Sequence, residues 1–347
     1  MPLSFSGASV FLLEIAGEET DMIKKKLLYC IIIYSLFSFL FANSNLKNKA
    51  RDKKKDKNKT EKIQKPTERD WKQTNLSVHD EVAILKKAYP DVDFIIGYDE
   101  EQKDYTVEVI NKKRTSLYYW CEGLYLPKEQ LVNRDHYYRI ITYYNNKLED
   151  PANFSQEKID SIKKFSSRDN RKTGSFSSKF IFDAIFDASN RNRTEQNLRQ
   201  IKFLDRYMTV HKMIIPALEK VEAKIYELSK TEDDVKNFLN NLSVCQAYNW
   251  REIRDARTRS FHSYGIAVDI LPYKWAQKII YWGFEKNEGN EDWMLIPIEK
   301  RWMPPESVIR AFESEGFIWG GYWAIWDNMH FEYHPELIMA KTQIEKS

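Results

Sequence analysis

Residues 43–70, NSNLKNKARDKKKDKNKTEKIQKPTERD, carry 11 Lys and Arg, 5 Asp and Glu, and almost no apolar side chain. Such a stretch buries too little to offset the conformational entropy of ordering, so it reads as a solvated linker and confines any large packed core to the residues C-terminal of it. Its surplus of positive charge also suits attraction to anionic lipid or wall polymer. From Trp71 onward the balance is 40 basic against 42 acidic residues, close to neutral. A nucleic-acid-binding fold carries its basic face on the fold itself, so no nucleic-acid partner is expected. At 347 residues and 42% hydrophobic content, the chain is long enough to bury a sizeable core beyond the linker.

Ahead of the linker, Lys24-Lys25-Lys26 precede an apolar run from Leu27 to Ala42, the basic and hydrophobic regions of an export signal. The run is short of the roughly 20 residues that span a bilayer. If left uncleaved it offers a membrane anchor, and Leu40 two positions before Ala42 makes a poor small-x-small cleavage site. Residues 1–21 are acidic and sit awkwardly before the basic region, so Met22 is the expected start. Cys30 lies at the beginning of the apolar run, which argues against a lipoprotein and leaves Cys121 and Cys245 to pair or to remain separate thiols.

Between residues 71 and 151, aromatic and β-branched runs at 94–97, 105–110, 116–120 and 137–144 read as strands of a small mixed lobe. Residues 155–240 read as successive helices through IFDAIFDA, NLRQIKFLDRYM and ALEKVEAKIYEL, with Pro216 breaking the longest run. Thr231-Glu-Asp-Asp is the expected cap of a helix over 232–241. Then come a strand at 243–248, a basic loop at 250–260, a strand at 266–271, and helices at 273–284 and 305–315, the last opened by Pro304-Pro305 and closed by Gly316. The end, 317–333, has strand chemistry interrupted at Gly320-Gly321 and Asp327-Asn328. Eight of the ten Trp lie between Trp250 and Trp326; core packing is the simple reading, and a groove that stacks on sugar or peptide the alternative.

Two of the six histidines stand in unusual contexts. His262 precedes Gly265, which permits a sharp turn, and then the strand in which Asp269 shares a face with Ala267. His330 follows the Asp327-Asn328 turn and shares a face with Glu332, opposite Met329, Phe331 and Tyr333. Two imidazoles and a carboxylate are the three protein ligands that a catalytic zinc site needs. A further carboxylate at Asp327 could take a proton from water there. Hydrogen-bonded histidines without a metal fit the same pattern.

Ser260-Phe-His262-Ser-Tyr-Gly265-Ile-Ala267-Val-Asp269 resembles the S-x-H-x-x-G-x-A-x-D signature of the zinc D-Ala-D-Ala carboxypeptidase and dipeptidase family, peptidase family M15, at every specified position. The block GFIWGGYWAIWDNMHFEYHPEL is similar to that family's C-terminal block. The resemblance covers about residues 205–340. It implies His262, Asp269 and His330 as zinc ligands and Asp327 as the general base, an Asp as in the endopeptidase-like branch where carboxypeptidases more often carry Glu. Arg251 in Trp-Arg-x-Ile would steady the substrate carbonyl, with Arg254, Arg257 and Arg259 as rivals, and Ser260 would hydrogen-bond just outside the ligands. His334, Glu332 and His211 read as structural.

These readings converge on an exported α+β enzyme with four parts. Residues 1–42 are the extension and signal, 43–70 the linker, and 71–195 an accessory lobe. Residues 196–347 are a zinc peptidase domain in which helices flank a small antiparallel sheet. Its expected cofactor is Zn2+, and its expected substrate a peptidoglycan stem peptide in a bacterial envelope. The alternative is a zinc-bearing cell-wall-binding module without turnover.

Overall fold

The computed structural model describes residues 76–251, 258–275 and 277–346. The apolar segment and basic linker expected within residues 1–70, and Arg254 and Arg257, lie outside them. Helix α1 (Val78–Ala88) opens with a capping box: the Ser77 hydroxyl accepts from the Asp80 N–H, and the Asp80 carboxylate accepts from the Ser77 N–H. It lies against an antiparallel meander, β1 (Asp93–Asp99), β2 (Asp104–Asn111) and β3 (Arg114–Tyr119), which turns Phe94, Val107 and Val109 inward. Of the expected strand at 137–144, only β4 (Tyr137–Tyr138) forms, pairing in parallel with β5 (Phe176–Ser177).

Helices α2 (Gln156–Ser166), α3 (Arg168–Thr173), α4 (Phe180–Ile185) and α5 (Arg191–Gln196) follow. The helical reading of 155–240 fails at NLRQIKFLDRYM, which forms the hairpin β6 (Leu198–Phe203) and β7 (Arg206–His211). Its turn residues, Leu204 and Asp205, have φ of 46° and 61°. That is the backbone of a type I′ hairpin turn, built without the Gly or Asn that usually announces one. Pro216 opens a helix and does not break one, because in the first turn of α6 (Ile215–Leu228) its missing N–H leaves no bond unmade. Helix α7 (Asp233–Asn240) occupies its expected span, but no side chain caps it.

Four strands make the sheet that matters for chemistry: β8 (Leu242–Gln246), β9 (Ala267–Pro272), β10 (Phe317–Trp319) and β11 (His330–Tyr333). They are antiparallel in the order β10-β11-β9-β8. The fold is therefore α+β. The helix expected at 273–284 shrinks to α8 (Trp282–Asn287), because Ile279 and Tyr281 instead form bridges with Arg301 and Asp327. Helix α9 (Glu306–Glu313) sits between Pro305 and Gly316, and α10 (Pro335–Ile344) ends the described chain.

One buried cluster runs from Val82 and Phe94 through Phe182 to Ile266, Phe312 and Phe331. A smaller one gathers Ile162, Trp282, Trp293, Met294, Ile296 and Trp326. Trp302 and Trp319 belong to the first cluster, so most of the C-terminal tryptophans pack as core. Cys121 and Cys245 are separate thiols. Among the described residues no helix is long and apolar enough to cross a membrane.

Candidate metal centre

Asp269 and His330 are directly opposed partners on neighbouring strands β9 and β11. Alternation places both side chains on one face, away from the Val268, Ile270 and Phe331 core. His262 reaches the same face from a 3-10 turn, Phe261–Tyr264, that ends on Gly265 with φ +72°. A Cβ at Gly265 would stand 2.8 Å from the His211 backbone nitrogen and 2.7 Å from Leu198 Cδ2, so only glycine fits this left-handed turn beside β7. The turn resolves the odd spacing between His262 and Asp269. Ser260 caps it, its hydroxyl accepting from the His262 N–H at 3.3 Å.

The ring of His262 is aimed by its Nδ1, which lies 2.5 Å from the Ala247 carbonyl, and that of His330 by its Nε2, 2.9 Å from Glu332 Oε1. A carbonyl can only accept, and contacts with His330 and His334 outweigh burial to hold Glu332 ionised, so each outer nitrogen carries a hydrogen. The inner nitrogens, His262 Nε2 and His330 Nδ1, then face each other at 3.2 Å. Asp269 stands 3.2 Å from the first and 2.8 Å from the second. Burial alone would raise the Asp269 carboxyl; His262 and His330 outweigh it and hold the group far below the usual carboxylate range. His330 is displaced the other way, burial being outweighed by Asp269 and Glu332. One donor atom from each of the three residues lies within 4.8 Å of the others. Two imidazole nitrogens and a carboxylate oxygen converging on one point are a donor set that fits a metal cation, which would take the place of the proton that His330 otherwise shares with Asp269. Outer hydrogen bonds that fix the ligand rings are what metal-binding histidines require.

Asp327 stands beside this group. Its neighbours anchor it: Trp326 and Asn328 are each 1% exposed, and the Asn328 amide donates to the Trp302 carbonyl at 2.7 Å. The Asp327 N–H donates to the Gly320 carbonyl at 3.0 Å, and a Cβ on Gly320 would lie 2.7 Å from the Asp327 carbonyl oxygen, so the close approach needs glycine. Asp327 Oδ1 is buried and has no hydrogen-bond partner among the described residues. Burial pushes this carboxyl up to about 7; Asp269 and Glu332 add to the shift, while His330 and Arg251 oppose it. Trp323 places its ring 5.4 Å from that of His330.

Arg251 has its backbone fixed, the N–H donating to Ser263 Oγ at 2.8 Å, while its side chain is exposed and its charge is felt by Asp327. Arg259 is committed elsewhere: its guanidinium pairs with Asp183, donates to Tyr264 Oη at 2.9 Å and stacks over Trp250. His211 is structural. Its Nε2 donates to the Phe186 carbonyl at 2.9 Å, and its Nδ1 accepts from the Met213 N–H.

Sequence reasoning set Glu332 and His334 aside as structural, but both continue a buried chain of contacts outward from His330. The signal lay in HFEYHPE, where His330, Glu332, His334 and Glu336 alternate at every second position. Residues 254–333 match the family model described as D-alanyl-D-alanine carboxypeptidase, and residues 81–142 match one described as a domain of unknown function (DUF8518). No curated protein and no solved structure matches the chain.

Proposed function

With residues 254–333 belonging to the D-alanyl-D-alanine carboxypeptidase family, an M15-type peptidase, we propose that this protein is an exported zinc peptidase that hydrolyses an amide bond in a peptidoglycan stem peptide. The convergence of His262 Nε2, Asp269 and His330 Nδ1 beside the unpartnered carboxylate oxygen of Asp327 carries the reading. His262, Asp269 and His330 would hold the metal. Zinc in that position would supply a Lewis acid that polarises a carbonyl and lowers the pKa of water.

The chain's own groups do the rest. Asp327, held rigidly between two buried neighbours, takes the proton of the attacking water on its free oxygen and returns it to the departing amine. Arg251, exposed at the edge of the site, offers its guanidinium to the oxygen that gains charge as the carbonyl becomes tetrahedral. Ser260 acts one step back, by fixing the turn that aims His262. The apolar run at 27–42 supports export, and the basic linker would keep the enzyme close to anionic wall or lipid.

Mass spectrometry of peptidoglycan fragments incubated with the protein, with and without a zinc chelator, tests this. Chelator-sensitive loss of a terminal alanine establishes a carboxypeptidase, and chelator-sensitive cleavage within or between stems an endopeptidase. Zinc-loaded protein that releases no product overturns the reading.

A further inference from the structure

The contacts beyond His330 do not stop at the C-terminal sheet. Glu332 Oε1 accepts from His330 Nε2 at 2.9 Å, and its second oxygen lies 3.4 Å from His334 Nε2. His334 Nδ1 is 2.7 Å from Glu336 Oε1, and the far oxygen of Glu336 accepts the Tyr89 hydroxyl at 2.6 Å. His334, Glu336 and Tyr89 are all at most 3% exposed. Tyr89 is the residue that ends helix α1, within the segment matched by the domain of unknown function.

We infer that Tyr89 is a positioning residue for the metal centre, acting through Glu336, His334 and Glu332 on the ring of His330, so that the N-terminal lobe completes the site 241 residues away in sequence. The inference rests on the proposed metal centre and adds a role for the lobe. Its logic is one of alternating donors and acceptors. Glu336 is a buried carboxylate whose two oxygens have two partners, an imidazole and a phenol. Taking the phenol away leaves one oxygen desolvated and unpaired, a state that buried polar groups avoid. Glu336 would then draw the His334 ring toward itself and lengthen the His334–Glu332 contact, already the longest in the chain at 3.4 Å. Glu332 would be free to rotate, and the His330 ring would lose its fixed orientation. The rings of Phe182 and Phe261 pack edge-on against His334, at 5.4 and 4.6 Å between centroids, and restrict it to small movements along this line.

The test uses the full chain. Zinc affinity is measured by competition with a chromophoric chelator, and the visible spectrum of the cobalt-substituted protein is recorded, for wild type, Tyr89→Phe, Glu336→Gln and Tyr119→Phe. Tyr119 is the control, since it loses a hydroxyl bonded to a carboxylate, Asp99, in the same lobe but outside the chain of contacts. Outer partners of metal ligands typically change affinity by about 10–100-fold. Tyr89→Phe, lying further out, should weaken zinc binding by about tenfold and shift the cobalt bands, Glu336→Gln should do at least as much, and Tyr119→Phe should do neither. Zinc affinity and cobalt spectra unchanged in both relay variants, whatever happens to their metal-free melting temperatures, would overturn the inference and leave the proposed function standing. Wild-type protein that binds no zinc would overturn both.

Discussion

In the proposed mechanism the chemistry turns on Asp327, whose buried carboxylate oxygen has no hydrogen-bond partner among the described residues. Its carboxylate makes no hydrogen bond to His262, Asp269 or His330, so Asp327→Asn should leave zinc stoichiometry intact while lowering turnover by about 10²–10⁴-fold. Metal analysis and kinetics on one preparation check this; a mutant that turns over normally removes the base. His211 offers a second test, of stability. Burial lowers its pKa from 6.5 to about 4, and its two ring nitrogens are used as one donor and one acceptor, which only the neutral ring provides. Between those values the unfolded chain binds the extra proton and the folded one does not. The contribution of His211 is therefore complete above pH 6.5 and is lost as the pH drops toward 4, about 3 kcal/mol over the window. Urea denaturation of wild type and His211→Asn side by side from pH 7 to 4 should show that loss as the change in the difference between the two. At this scale the sequence singled out His262, Asp269, His330 and Asp327, which the structure brings together, because residue types at fixed spacing survive any error about the elements between them. It was silent on Tyr89, which no local pattern links to Glu336.

Elements were legible where local chemistry and tertiary pairing agreed. Strand β2 alternates cleanly with one face buried, and so does β9 from Val268 onward. The hairpin β6–β7 was hidden because its turn forces Leu204 and Asp205 into positive φ with no glycine to mark the place, and the apolar spacing of NLRQIKFL suits a helix as well. Residues 273–281 were misread for a related reason, since bridges to Arg301 and Asp327 outweigh their helical spacing. Glycine provides the element-scale prediction. Gly265→Ala places a methyl group against the β7 backbone at +72°, whereas Gly289→Ala, at +91°, meets nothing within 4 Å. The second should cost only the conformational term, about 1 kcal/mol, and the first about 2–4 kcal/mol with loss of zinc affinity as His262 shifts. Equal denaturation midpoints for the two variants would mean that the turn tolerates a side chain.

Across the whole molecule, the larger of the two buried clusters draws on residues both before and after 196. Tyr144 donates to Glu313 at 2.9 Å and accepts from the Trp319 N–H at 3.0 Å, Asp183 pairs with Arg259, and Tyr89 with Glu336. Each joins a residue before 196 to one after it. Residues 71–347 should accordingly unfold in a single transition, with tryptophan emission and far-UV circular dichroism coinciding. Residues 196–347 alone should lack a near-UV signal; a well-ordered fragment would show that the second half folds without the first. Composition set the bounds of this core, but the mutual dependence of its halves rests on contacts far apart in sequence, which no window of residues displays.

The opposed pair Asp269 and His330 has a consequence for how such an enzyme can change over generations. Two of the three candidate ligands are fixed by hydrogen-bonded neighbours in one sheet, and the chain between them leaves that sheet at Pro272 and does not rejoin it until Phe317. Insertions, deletions or exchanges in that excursion, for instance around Gly289 where an added Cβ meets nothing within 4 Å, can occur while the register of the paired ligands stays as inherited. Sequence change in that stretch can thus accumulate step by step with the two candidate ligands still side by side at every stage.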